Sequence, residues 1–134
     1  MTVFVDTSAF LALGNRADRA HAAAVKAFAD LEAADTTLLT TNYVLVETIA
    51  LLQHRFGVEA VQQFGTRFLP LLDVTWLGAT EHASALEALL AAGKREISLV
   101  DYASFLTMRR HDVTTAFAFD LHFADQGFTL LPNP

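Results

Sequence analysis

The chain has 134 residues, of which 53% are hydrophobic and 18% charged, a balance that excludes a disordered polypeptide and suffices for one core without disulfide or metal staples. It contains no cysteine, which rules out a disulfide framework and a thiolate zinc site. Its net charge of −6, from 9 basic and 15 acidic residues, argues against holding nucleic-acid phosphates on a uniformly basic surface. Local pairs such as Lys94-Arg95 and Arg109-Arg110 still offer positive charge, and a divalent cation on clustered carboxylates would invert the local sign. No apolar run approaches the ~18 residues that span a bilayer. The opening Met-Thr-Val-Phe-Val-Asp lacks a basic leader region, so a cytoplasmic protein with no membrane anchor is expected. Eleven phenylalanines leave apolar surface for an oligomer or partner after the core is filled.

Val3-Phe4-Val5 reads as a buried strand that stops at Asp6, and Thr7-Ser8 starts a helix to about Leu13. After Gly14-Asn15 a second helix runs from Arg16 or Asp18 to Ala34, with Ala20, Ala24, Phe28 and Leu31 on one face. Leu38-Leu39-Thr40 is a brief second strand, and Thr41-Asn42 caps a helix that closes near Phe56 with Gly57 just past its end. Val58 to Phe68 is another amphipathic helix, ended by Pro70. A third strand spans Asp73 to Leu77. Gly78-Ala79-Thr80 then starts a helix with Ala83, Leu86, Leu89 and Leu90 at helical intervals, stopped by Gly93. The stretch from Ile97 begins one more helix, reaching about His111, before a fourth strand from Thr114 to Phe119 that ends in Asp120. Phe128 to Leu131 is the last strand, closed by Pro132. Trp76 and most of the phenylalanines are assigned to the core. Short strands alternating with helices predict an α/β fold, a three-layer sandwich with a mostly parallel sheet of about five strands, in one domain over residues 1–134.

Four acids stand out by position. Asp6 and Asp120 end strands, Asp101 lies at a helix start, and Glu47 sits in the most apolar helix. Each has an ordinary explanation: Asp6 and Asp120 as helix caps, Asp101 as the acid of a Ser98 capping box, Glu47 as a boundary residue with its head in water. In a parallel α/β sheet, however, all four map to the carboxyl edge, where ligands bind. Carboxylates gathered there repel unless some are protonated or a cation joins them. Hard oxygen donors without cysteine or a histidine pair favour Mg²⁺ or Mn²⁺ over Zn²⁺. Asp125, five residues beyond Asp120, reads as a surface acid.

The segments Val5-Asp6-Thr7-Ser8-Ala9, Val46-Glu47, Ser98-Leu99-Val100-Asp101 and Phe119-Asp120-Leu121-His122-Phe123 with Gly127 together resemble the PIN domain family, and within it the small VapC-like toxins of toxin–antitoxin pairs. The resemblance spans essentially the whole chain. It implies a Rossmann-like PIN fold and a metal-dependent endoribonuclease using Mg²⁺ or Mn²⁺, with Asp6, Glu47, Asp101 and Asp120 as the acidic metal cluster. Thr7 or Ser8 would support that cluster through their hydroxyls. A homodimer and a cognate antitoxin that blocks the acidic site are also implied. Arg109 and Arg110 are candidates for RNA contact, or else a solvated helix face. His122 stands where relatives place polar or charged residues, so the resemblance assigns it no role.

Other readings lack a needed residue. A haloacid-dehalogenase-like phosphatase would place an acid at position 8, where Ser8 stands, and a receiver-like phosphoacceptor would place a lysine at a late strand end, whereas Lys94 falls between helices. An RNA-processing PIN nuclease outside any toxin pair, or a PIN domain that binds RNA or a metal without cutting, fits the same acids.

Overall fold

Strand β1 (Thr2–Val5) is the middle of the sheet, and its sequence suits the place, since Val3, Phe4 and Val5 are all buried. A strand covered on both faces needs a continuous apolar run rather than alternation. The computed structural model describes residues Met1–Pro134. Five strands form one parallel sheet in the order β3-β2-β1-β4-β5, with β2 at Thr37–Thr41, β3 at Leu72–Thr75, β4 at Thr115–Phe117 and β5 at Thr129–Leu131. The expected mostly parallel sheet is therefore parallel throughout. Connections from β1 step outward through β2 to β3, and the chain then returns to the other side of β1.

Seven helices accompany the sheet: α1 (Thr7–Gly14), α2 (His21–Ala33), α3 (Asn42–Phe56), α4 (Val58–Arg67), α5 (Ala79–Ala92), α6 (Leu99–Arg110) and α7 (His122–Asp125). The helix α3 is bounded as its sequence dictates. Thr41 caps it by accepting from the Val44 amide at 3.2 Å, and Gly57, at φ 92°, ends it in a conformation that a side chain disfavours. The buried face of α2 is Ala24, Phe28 and Leu31, as its spacing predicts. None of the helices is long and apolar enough to cross a membrane.

Several boundaries differ from expectation, each for a local reason. Helix α2 begins at His21, because Asn15 and Asp18 turn the preceding segment by accepting from the amides of Ala17 and Ala20. Pro70 sits inside a 3-10 turn, Leu69–Leu71, that follows α4 and leads straight into β3. Strand β3 stops at Thr75 because Asn42 captures the backbone of Leu77. Trp76 is consequently outside the core, with 73% of its surface exposed. Helix α5 buries Ala85, and Leu86 and Leu90 face solvent, so its apolar spacing overstated its contact with the core. Helix α7 is a four-residue element too short to leave a periodic signature.

Candidate functional site

The sheet has its switch point at β1 and β4, where successive connections depart in opposite directions, and ligands of open α/β sheets bind outside the strand ends at that crevice. Asp6 follows β1 and Asp120 follows β4. Asp6 is buried, and its amide donates to the Phe117 carbonyl at 3.1 Å, continuing the β1–β4 pairing to the site itself. Its Oδ2 accepts from the Ser8 amide at 3.1 Å and the Ser8 hydroxyl at 2.6 Å. That hydroxyl in turn accepts from the Phe119 amide at 2.9 Å. Ser8 thus ties the carboxylate at the end of β1 to the backbone that leads into Asp120.

Asp101 forms the expected capping box: its Oδ2 accepts from the Ser98 amide at 2.9 Å while its amide donates to the Ser98 hydroxyl at 3.2 Å. Asp120 accepts from the His122 amide at 2.9 Å through Oδ1 and so shapes the start of α7. Capping and clustering are therefore not alternatives. In each of the three aspartates one oxygen holds a local N–H, and the other has no hydrogen-bond partner within the chain. Glu47 is half-buried on α3, near the Thr7 hydroxyl, which itself donates to the Val44 carbonyl at 3.5 Å. Thr7 also receives a hydrogen bond at 3.2 Å from Thr48, which is fully buried.

Electrostatics show that these side chains share one space. Burial is the main cause that pushes the Asp6 carboxyl up to about 6, the bonds from Ser8 oppose it, and repulsion from Asp101 and Asp120 adds to it. Burial also raises Glu47, again with the charges of Asp101 and Asp120 contributing, against the opposing effect of the nearby Thr7 hydroxyl. Asp101 is raised by burial and by Asp120, while the Ser98 bonds and the nearby His122 pull it down. Asp101 and Asp120 thus lie within electrostatic reach of each other and of both Asp6 and Glu47. No three acidic or histidine side chains stand close enough to enclose an ion as they are. The donors suit a hard divalent cation in kind, being carboxylates and hydroxyls only, and each aspartate keeps an oxygen without a hydrogen-bond partner in the chain.

The remaining candidates lie farther out. Arg109 donates to the Gln126 side chain at 2.7 Å and stacks over Phe128 at 5.2 Å, pinning the end of α6 to the loop before β5. Arg110 faces Glu81 at 3.7 Å. Both stand eight or nine residues along α6 from Asp101, about 12–14 Å by helical rise. Asp125 is exposed and faces His122 at 3.9 Å. His122 was given no part by the sequence, yet it lies close enough to act on Asp101. Thr48 was missed as well; its one signal is a hydroxyl in the middle of an apolar helix. A cavity of about 390 Å³ opens elsewhere, between Phe10, Leu13, Phe28, Leu52 and Phe64, and includes none of the four acids.

An open parallel sheet with Asp6 and Asp120 just past its two switch-point strands defines an α/β protein of Rossmann-like topology. Residues 3–128 match the PIN domain family, and the chain belongs to that family. It is 37% identical over 127 residues to the 23S rRNA-specific endonuclease VapC20 of Mycobacterium tuberculosis, covering 94% of this chain and 95% of that one. The crystal structure of that VapC20, described as a sarcin-ricin loop cleaving toxin, superimposes with a TM-score of 0.81 over the same shares. The same fold, at 15% identity, occurs in VapBC2 from Rickettsia felis, with a TM-score of 0.71 over 97% of both chains. FitAcB from Neisseria gonorrhoeae shares it at 18% identity, with a TM-score of 0.65 over 97% of this chain and 96% of that one.

Proposed function

We propose that the protein is a metal-dependent endoribonuclease, the toxin of a toxin–antitoxin pair, that hydrolyses a phosphodiester bond of 23S ribosomal RNA in the cytoplasm and is restrained by a cognate antitoxin. The observation that carries this reading is the placement of Asp6 and Asp120 just past β1 and β4 at the sheet's switch point, where the charges of Asp101 and Asp120 push the Asp6 and Glu47 carboxyls up, a conflict that protonation or a cation relieves. The identity to an rRNA-specific endonuclease over nearly the whole chain supports the substrate and the toxin role. The free oxygens of the three aspartates, with Glu47, would hold Mg²⁺ or Mn²⁺. A bound divalent ion supplies an acidified water and positive charge for the phosphoryl oxygens. Ser8 fixes the Asp6 carboxylate against the β4 end. Water attacks phosphorus, and the bond from phosphorus to the leaving ribose oxygen breaks.

The test is incubation of purified protein with intact ribosomes and naked 23S rRNA, with Mg²⁺, with Mn²⁺ and with EDTA, beside Asp6→Asn and Asp101→Asn. A discrete cut requiring the metal and lost in both variants is expected. A cut that persists in EDTA, or in folded variants, would remove the acids from the mechanism.

A further inference from the structure

Trp76 is the only tryptophan of the chain, and an indole 73% exposed is unusual, because tryptophan is on average highly buried. The backbone on either side of the ring is also held in place. Thr75 before it is paired with Thr41 in the sheet. Leu77 after it is fixed by both atoms of the Asn42 amide, whose Oδ1 accepts from the Leu77 N–H at 2.8 Å and whose Nδ2 donates to its carbonyl at 3.3 Å. A large ring with its backbone already immobilised binds a partner without the ordering cost that a loose loop would carry.

Strand register places this ring relative to the acids. Phe4 pairs with Leu39, and Leu39 with Asp73; two residues further along each strand, Asp6, Thr41 and Thr75 fall in one row across the carboxyl edge. Strand spacing makes the distance from Asp6 to Thr75 about 10 Å, a distance that an extended nucleic-acid strand covers within a few nucleotides. Trp76 stands one residue beyond the row. Beside it in sequence or by hydrogen bond, the same corner carries Tyr43, whose hydroxyl bonds to His82 with the two rings 5.8 Å apart.

We propose that Trp76 is a stacking platform for an unpaired base of the RNA whose phosphodiester lies at the acids; the proposal rests on the nuclease reading above. The charge balance favours it. A protein of net charge −6 has little general attraction for phosphates, whereas every base presents a π-face to an aromatic ring without regard to charge. The competing occupant is a second copy of the chain, since Leu86 and Leu90 of α5 are also exposed.

Because the chain has one tryptophan, its fluorescence reports this position alone. The protein is mixed in a stopped-flow cell, with Mg²⁺ present, with a single-stranded oligoribonucleotide of mixed sequence, with the same ribose-phosphate chain lacking bases, and with a fully paired duplex. Quenching by the first and not by the other two is expected. In rRNA cleavage, Trp76→Ala should raise KM by about 5- to 150-fold, the worth of one base stack, with kcat changed far less, and Trp76→Phe should recover part of the loss. Unquenched emission together with an unchanged KM overturns the platform while rRNA cutting by the parent protein leaves the nuclease reading standing. Emission that shifts with protein concentration instead of RNA, with Trp76→Ala turning a dimer into a monomer by sedimentation, also overturns it and assigns the ring to self-association. Absence of any rRNA cutting by the parent protein is a failure of the nuclease reading, and the quenching experiment still decides the platform.

Discussion

Asp6 concentrates the energetic conflict of the molecule in one side chain. Burial pushes its carboxyl up to about 6 in the folded protein from an ordinary 3.8, so the folded state holds its proton more tightly than the unfolded chain does. Stability from this group is fully present below pH 3.8 and is lost as the pH rises through 6. The loss amounts to roughly 3 kcal/mol when complete. Glu47 and Asp101 shift in the same direction and reinforce the trend. Asp6→Asn keeps a good helix-capping residue and removes the charge. The metal-free variant should therefore melt on the order of 5 °C above the parent at pH 7.5 and near or below it at pH 4, which differential scanning calorimetry in EDTA measures; equal melting temperatures at pH 7.5 would mean that the buried charge is relieved in another way. Divalent-metal affinity should fall as the pH drops through about 6, since the ligand must be deprotonated, and isothermal titration at pH 5 and pH 7.5 reads it directly. At this scale the sequence was informative where a residue has a local signature. Asp6 ends an apolar run and Asp101 sits three residues after Ser98, so both were legible as caps and as candidates. The bond from the Ser8 hydroxyl to the Phe119 amide spans 111 positions, and Thr48 meets Thr7 across 41; no spacing rule tells a hydroxyl which distant group it will face.

At the level of elements, the position of Asp120 depends on aromatic packing. Phe123 of α7 is fully buried and touches three other rings, lying 6.3 Å from Phe4 of β1, 5.0 Å and edge-on to Phe105 of α6, and 6.4 Å from Phe128 before β5. Three parts of the fold therefore converge on a helix of four residues that lies directly after the acid. Phe123→Ala should destabilise the protein by about 3–5 kcal/mol, and at temperatures where the variant remains folded it should weaken metal binding, because α7 and the Asp120 turn lose their anchor. Urea unfolding and calorimetric titration on the same sample separate the two effects; a loss below about 1 kcal/mol would show that the cluster repacks. Long helices such as α2 and α3 were legible from apolar spacing and from their capping residues. The short strands were legible too, as apolar runs closed by an acid or a proline, whereas the four-residue α7 was not, because one turn of helix contains too few positions to reveal a period. Helix α5 shows the opposite error: its leucines repeat at helical intervals, but Leu86 and Leu90 are exposed, since periodicity identifies a face without saying what covers it.

Across the whole molecule, the alternation of strands and helices predicted the α/β class, and parallel pairing followed from it. The order β3-β2-β1-β4-β5 did not, because it depends on which strand pairs with β1 after the long excursion through α5 and α6. That order has a consequence in time. The chain is synthesised from β1 onward, yet β1 obtains its second neighbour only when β4 appears, more than a hundred residues later, and Ser8 has no Phe119 amide to hold until then. A nascent chain that has reached Asp112 already contains Asp6, Glu47 and Asp101 but lacks the strand that completes the crevice and the fourth acid. A fragment of residues 1–112 should accordingly show neither cooperative melting nor calorimetric uptake of Mn²⁺, and tight uptake by that fragment would disprove the dependence. For a ribonuclease made on the machine whose RNA it is proposed to cut, the late arrival of β4 is a built-in delay: the cutting site cannot exist until β4 and Asp120 have left the ribosome that builds them.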